Sequence, residues 1–85
     1  MKPIKVYTKE YCPFCTRAKA LLTARKLSFE EINIEGDNEF AQKLFAKTGF
    51  RTVPQIFIGE ECVGGYTELA ALDQEGKLLP LVSSD

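Results

Sequence analysis

Histidine is absent from this 85-residue sequence, which excludes every Cys/His or Ser/His/Asp catalytic arrangement and every metal site that needs an imidazole. Cysteine is scarce. Three residues, an odd number, fall far short of the roughly 8–10% found in disulfide-stapled secreted domains. In a reducing compartment such cysteines serve redox chemistry or metal binding rather than stapling. An excess of either charge is missing too: 11 Lys+Arg against 12 Asp+Glu leave a net charge of -1 and remove the electrostatic case for a nucleic-acid partner. Long apolar runs are also lacking. Leu69–Leu72 is typical, whereas a membrane span needs roughly 20 residues, and the opening MKPIKVYTKEYC has no apolar segment of the signal-peptide kind. The expectation is a soluble cytoplasmic protein that binds neither nucleic acid nor membrane.

What is present is enough apolar residue, 45%, for one small domain spanning 1–85. Ile4 and Val6 alternate with Lys5 and Tyr7, the period of a strand. From Pro13 the chain is rich in helix formers, with Cys15, Ala18, Leu21 and Leu22 on one face; Pro13 itself suits a first helical turn. A second strand is expected over Phe29–Ile34. Gly36, Asp37 and Asn38 then break and cap, and Phe40, Ala41, Leu44 and Phe45 read as the buried stripe of a second helix ending near Gly49. Ile56-Phe57-Ile58 reads as a central strand covered on both faces, turning at Gly59 into a short strand through Cys62 and Val63. Cys62 there reads as a packed small hydrophobe. Thr67 is expected to cap a third helix, Glu68 to about Glu75, and Leu78–Val82 to form a last apolar turn. The order β-α-β-α-β-β-α makes an α/β fold with a mixed four-stranded sheet flanked by helices.

The chemistry sits at Cys12-Pro13-Phe14-Cys15, where the first strand gives way to the first helix. Free backbone N–H groups and the helix dipole at that point favour a thiolate. Residues 1–26 add a positive field, with seven basic residues and Glu10 as the sole acid. Cys15 is spaced to close a small ring with Cys12, so Cys12 reads as nucleophile and Cys15 as resolving thiol. A zinc half-site remains open on the Cys-X-X-Cys alone, although four ligands would require a carboxylate or a partner chain.

The segments YTKEYCPFC, RTVPQIFI and VGGYTEL together resemble the glutaredoxin family, specifically the small bacterial dithiol glutaredoxins of the glutaredoxin 3 type. The resemblance implies a thioredoxin fold with strand order 2-1-3-4 and a monomeric, glutathione-dependent oxidoreductase acting on disulfide-containing or glutathionylated proteins, without a metal. It implies a cis bond before Pro54, with the Val53 backbone facing the cysteinyl part of glutathione. It also implies a role for Lys9 near the glycyl carboxylate, with Arg51 as a second cation, and for the backbone of Tyr66 and Thr67 at the γ-glutamyl carboxylate. Phe14, Thr52 and Gly65 complete the glutathione-binding residues so implied. Phe14, Phe50 and Thr67-Glu68 stand where the family commonly has Tyr, Gln and an Asp pair. The departures at Phe50 and Thr67-Glu68 leave open a redoxin fed by thioredoxin reductase. A dimer sharing a [2Fe–2S] cluster through Cys12 and two glutathiones is a third reading, against which Pro13 stiffens the loop.

Overall fold

Alternation decides the first strand. Ile4, Val6 and Thr8 are buried while Lys5 is exposed, so β1 (Ile4–Thr8) turns one row of side chains into the core. The computed structural model describes residues 1–83, and the remaining elements are α1 (Pro13–Ala24), β2 (Glu30–Asn33), α2 (Asn38–Thr48), β3 (Gln55–Ile58), β4 (Glu61–Gly64), α3 (Tyr66–Gln74) and α4 (Leu78–Ser83). The sheet order is β2-β1-β3-β4, with β1 parallel to β2 and antiparallel to β3, and β3 antiparallel to β4. That is the 2-1-3-4 arrangement implied by the resemblance.

Two cores lie on either side of the sheet. Ala18 and Leu22 of α1, Leu69 of α3, and Leu78 and Val82 of α4 close over Ile4, Val6, Ile56 and Ile58. Ala41 and Leu44 of α2 cover Ile34 and Phe57 on the opposite face. Each fully buried Leu or Ile contributes about 1.5–3 kcal/mol of transfer free energy. All four residues of β3 are buried, the polar Gln55 included, because this strand is central and covered on both faces. Arg25, which caps the end of α1, makes a two-pronged pair with Asp73 of α3 at 2.6 and 2.8 Å. It holds the Asp73 carboxyl below its ordinary range, chiefly by hydrogen bonding.

Three sequence expectations are corrected. Phe40 is 37% exposed rather than core, because it lies at the rim of α2, where its ring meets Tyr7 at 5.7 Å. The second strand begins at Glu30, and Phe29 packs against the core from outside it. The third helix begins at Tyr66 and is capped by Gly65, not Thr67. Glu68 explains the earlier start, since its Oε1 accepts the Gly65 N–H at 2.7 Å and satisfies a donor that a Thr67 cap would have left inside the loop.

Candidate active site

Cys12 closes the loop after β1 and is the N-cap of α1, with Pro13 as the first helical residue. Its backbone is extended, so its side chain turns back over the helix end and Sγ accepts the Cys15 N–H at 3.1 Å. The helix therefore supplies a preformed donor to whatever negative charge this sulfur carries. Cys12 and Cys15 are joined as a disulfide, their Cα atoms 5.1 Å apart. The two sulfurs differ in access: Cys12 is partly exposed, whereas Cys15 lies on the core face of α1 and is 2% exposed.

Facing Cys12 is the turn before β3. The Val53-Pro54 bond is cis, and the Val53 carbonyl oxygen lies 3.7 Å from Cys12 Sγ. Buried Gln55 shapes this turn from beneath. Its amide donates to the Phe50 and Thr52 carbonyls, both at 3.1 Å, while its Oε1 accepts the Thr48 hydroxyl at 2.9 Å. A fully satisfied polar side chain under a loop holds that loop more specifically than apolar packing does. The third wall is the start of α3. A Cβ on Gly65 would stand 3.3 Å from the Pro54 carbonyl oxygen, so glycine lets the two backbones approach. Phe14 stacks on Tyr66 at 6.1 Å, and the Arg17 guanidinium lies 5.3 Å from the Phe14 ring, tying α1 to α3 across the mouth.

These walls enclose an open groove of about 330 Å³. It brings together Phe14, Thr52, Val53, Pro54, Gly65, Tyr66 and Thr67 from the expected set, and adds Phe50 and Glu68, which the sequence reading had left out of it. Lys9 and Arg51 lie outside the groove. Lys9 lines a separate cleft with both cysteines, its ammonium 5.9 Å from the Phe45 ring centre, and exposed Arg51 edges a shallow hollow beside Phe45. A larger concavity of about 620 Å³ opens over Tyr7, Phe40 and Phe57, but it contains no cysteine and so has no part in thiol chemistry. Cys62 is paired across the strands with Phe57, and burial pushes its thiol above the ordinary range, which makes it the less reactive kind of cysteine.

A dithiol that closes and opens in this way passes two electrons to another disulfide, and a 2-1-3-4 sheet carrying it ahead of its first helix is the thioredoxin fold. The chain is thus a thiol–disulfide oxidoreductase of that fold. Residues 4–63 match the Glutaredoxin family, and the chain belongs to it. It is 45% identical over 82 residues to Glutaredoxin 3 of Escherichia coli K12, covering 96% of this chain and 99% of that protein. A glutaredoxin of Pseudomonas aeruginosa is 46% identical over 84 residues, 99% of this chain and all of that one. Among solved structures, the buckwheat glutaredoxin–glutathione complex superposes with a TM-score of 0.92 at 30% identity, covering 96% of this chain and 77% of that one. Glutaredoxin from Brucella melitensis does so with a TM-score of 0.87 at 43% identity, covering 96% and 89%.

Proposed function

We propose that the protein uses glutathione to reduce protein disulfides and protein–glutathione mixed disulfides, acting as a single-domain monomer in the cytoplasm. Cys12 is the nucleophile and Cys15 the resolver. The unequal access of the two sulfurs carries this reading, since only the outer one can meet a bulky substrate. A Cys12 thiolate attacks the glutathione sulfur of a mixed disulfide, and the substrate thiol leaves. A second glutathione thiolate then attacks the glutathionyl sulfur on Cys12, releasing oxidised glutathione and regenerating the thiolate.

Glutathione lies in the groove in this reading. Its cysteinyl backbone pairs with Val53 like an added strand, and its γ-glutamyl carboxylate meets the free N–H groups of Tyr66 and Thr67 at the start of α3. Thr52, Pro54, Phe14 and Gly65 shape the channel. Lys9 and Arg51, standing outside it, supply field rather than contact.

Lys9→Ala tests the glutathione assignment. A rim charge assists encounter and ground-state binding, so the KM for glutathionylated substrate should rise by up to about fivefold while kcat changes little. Steady-state kinetics at low salt would show it. An unchanged KM would remove Lys9 from the binding field.

A further inference from the structure

The groove accounts for glutathione but not for the polypeptide that a mixed disulfide also carries. When a thiolate attacks a disulfide sulfur, the incoming, central and departing sulfurs lie close to one line. With Cys12 attacking the glutathione sulfur, the substrate sulfur stands on the far side of it, at the groove mouth. The residues around the substrate cysteine therefore meet the rim.

Two exposed aromatic residues bracket the nucleophile. Tyr11, directly before Cys12, has a left-handed backbone with φ 53°, uncommon for a bulky residue, and is 99% exposed. Phe14, two residues after Cys12, is 51% exposed although its ring stacks on Tyr66. Apolar surface left open beside a nucleophile is surface for a partner to cover. Phe14 and Arg17 are three apart on α1 and share a face, which brings the guanidinium to 5.3 Å from the Phe14 ring. Arg17 is paired with no carboxylate among the described residues, whereas Arg25 engages Asp73 and Lys19 engages Glu31. An arginine stacked on an aromatic ring still presents its planar N–H edge to a carboxylate. The nearby acids do not cancel this charge. Glu68 Oε1 is held by the Gly65 N–H, and Glu10 is the sole acid among seven basic residues in the segment 1–26.

We propose that Arg17, presented by Phe14 at the groove mouth, is the docking cation for protein substrates and selects glutathionylated cysteines flanked by acidic residues. A carboxylate beside the substrate cysteine pairs with the guanidinium edge, and apolar atoms of the same segment cover Phe14 and Tyr11. Glutathione occupies the groove in every case, so the contact distinguishes one substrate protein from another and leaves the thiol exchange itself unchanged. The inference rests on the deglutathionylation reading given above.

The test uses the intact protein and three synthetic glutathionylated peptides that share one cysteine and differ only in its neighbours, which are acidic, uncharged or lysine. Release of the peptide thiol is followed with glutathione as reductant, at low and at high salt. At low salt kcat/KM for the acidic peptide should exceed that for the lysine peptide on the order of tenfold, mainly through KM, and the gap should close at high salt. Arg17→Gln should reduce the ratio to about threefold or less, and Arg17→Lys should retain part of it. The ratio compares two peptides in one protein, so any loss of folded enzyme or change in Cys12 reactivity cancels from it. Equal rates for the three peptides in the wild type, or a preference that Arg17→Gln leaves intact, would overturn the proposal. If no glutathionylated peptide is turned over, the deglutathionylation reading falls and this inference with it. If all three are turned over alike, the inference falls alone.

Discussion

Cys12→Ser is expected to abolish reduction of both protein disulfides and glutathionylated proteins, while Cys15→Ser keeps the second activity and loses most of the first. The difference follows from what each sulfur can reach. Deglutathionylation needs one thiolate, because attack on the glutathione sulfur frees the substrate and a second glutathione clears the enzyme. The buried Cys15 takes no part in those two steps. A protein disulfide instead leaves Cys12 tied to a large partner, and Cys15, whose Cα is 5.1 Å from that of Cys12, attacks within the same molecule. Well-oriented intramolecular reactions reach effective concentrations of about 10⁵ M or more, which no glutathione pool matches. Cys15→Ser should therefore slow dithiol-type reduction on the order of tenfold or more. Its deglutathionylation should hold or rise, because the internal disulfide no longer competes. Parallel assays on a glutathionylated protein and a protein disulfide read the split directly. A folded Cys15→Ser protein unable to deglutathionylate would contradict the assigned roles.

In the reduced protein, one thiol should titrate well below the free-cysteine value of about 8.5 and another above it. The low one is Cys12, which caps α1 and accepts the Cys15 N–H, within the most basic part of the chain. The high one is Cys62, which burial pushes up while Glu68 adds to the effect. Thiolate absorbance followed against pH, in wild type and Cys62→Ser, separates them. The stability of the reduced fold carries the same signature. A site that favours the thiolate stabilises the reduced protein fully above the unfolded thiol pKa, and that contribution is lost as pH falls through the lowered native one. Reduced-state melting temperature should accordingly drop on acidification across that window, and Cys12→Ser should flatten that part of the curve. A Cys12 that titrates at the free-thiol value would remove the helix end from the mechanism.

Local chemistry made the helices and strands legible: Asp37 and Gly49 bracket α2 as cap and left-handed stop, and Pro13 opens α1. The pattern could not show Gln55 as the support of the groove loop, because the apolar run that marks the central strand starts at Ile56 and leaves the glutamine in the turn before it, whereas the strand begins at Gln55. Glu68 was missed as a groove residue for a related reason. Its carboxylate lines the site because it folds back to the Gly65 N–H, and that return moves the helix start by two residues. Lys9 and Arg51 were placed by motif, and motif order fixes neighbours along the chain, not which side of Cys12 a long side chain occupies.

The most direct measurement is the structure in solution of Cys15→Ser protein trapped as its mixed disulfide with glutathione. Intact mass and peptide mapping should place a single glutathionyl group on Cys12. Amide resonances of Val53, Tyr66 and Thr67 should shift, and the glutathionyl protons should show contacts to the Phe14 and Tyr66 rings that wall the groove. Modification of Cys62 in preference to Cys12, or glutathionyl contacts confined to the Lys9 cleft with the α3 start unperturbed, would contradict the account.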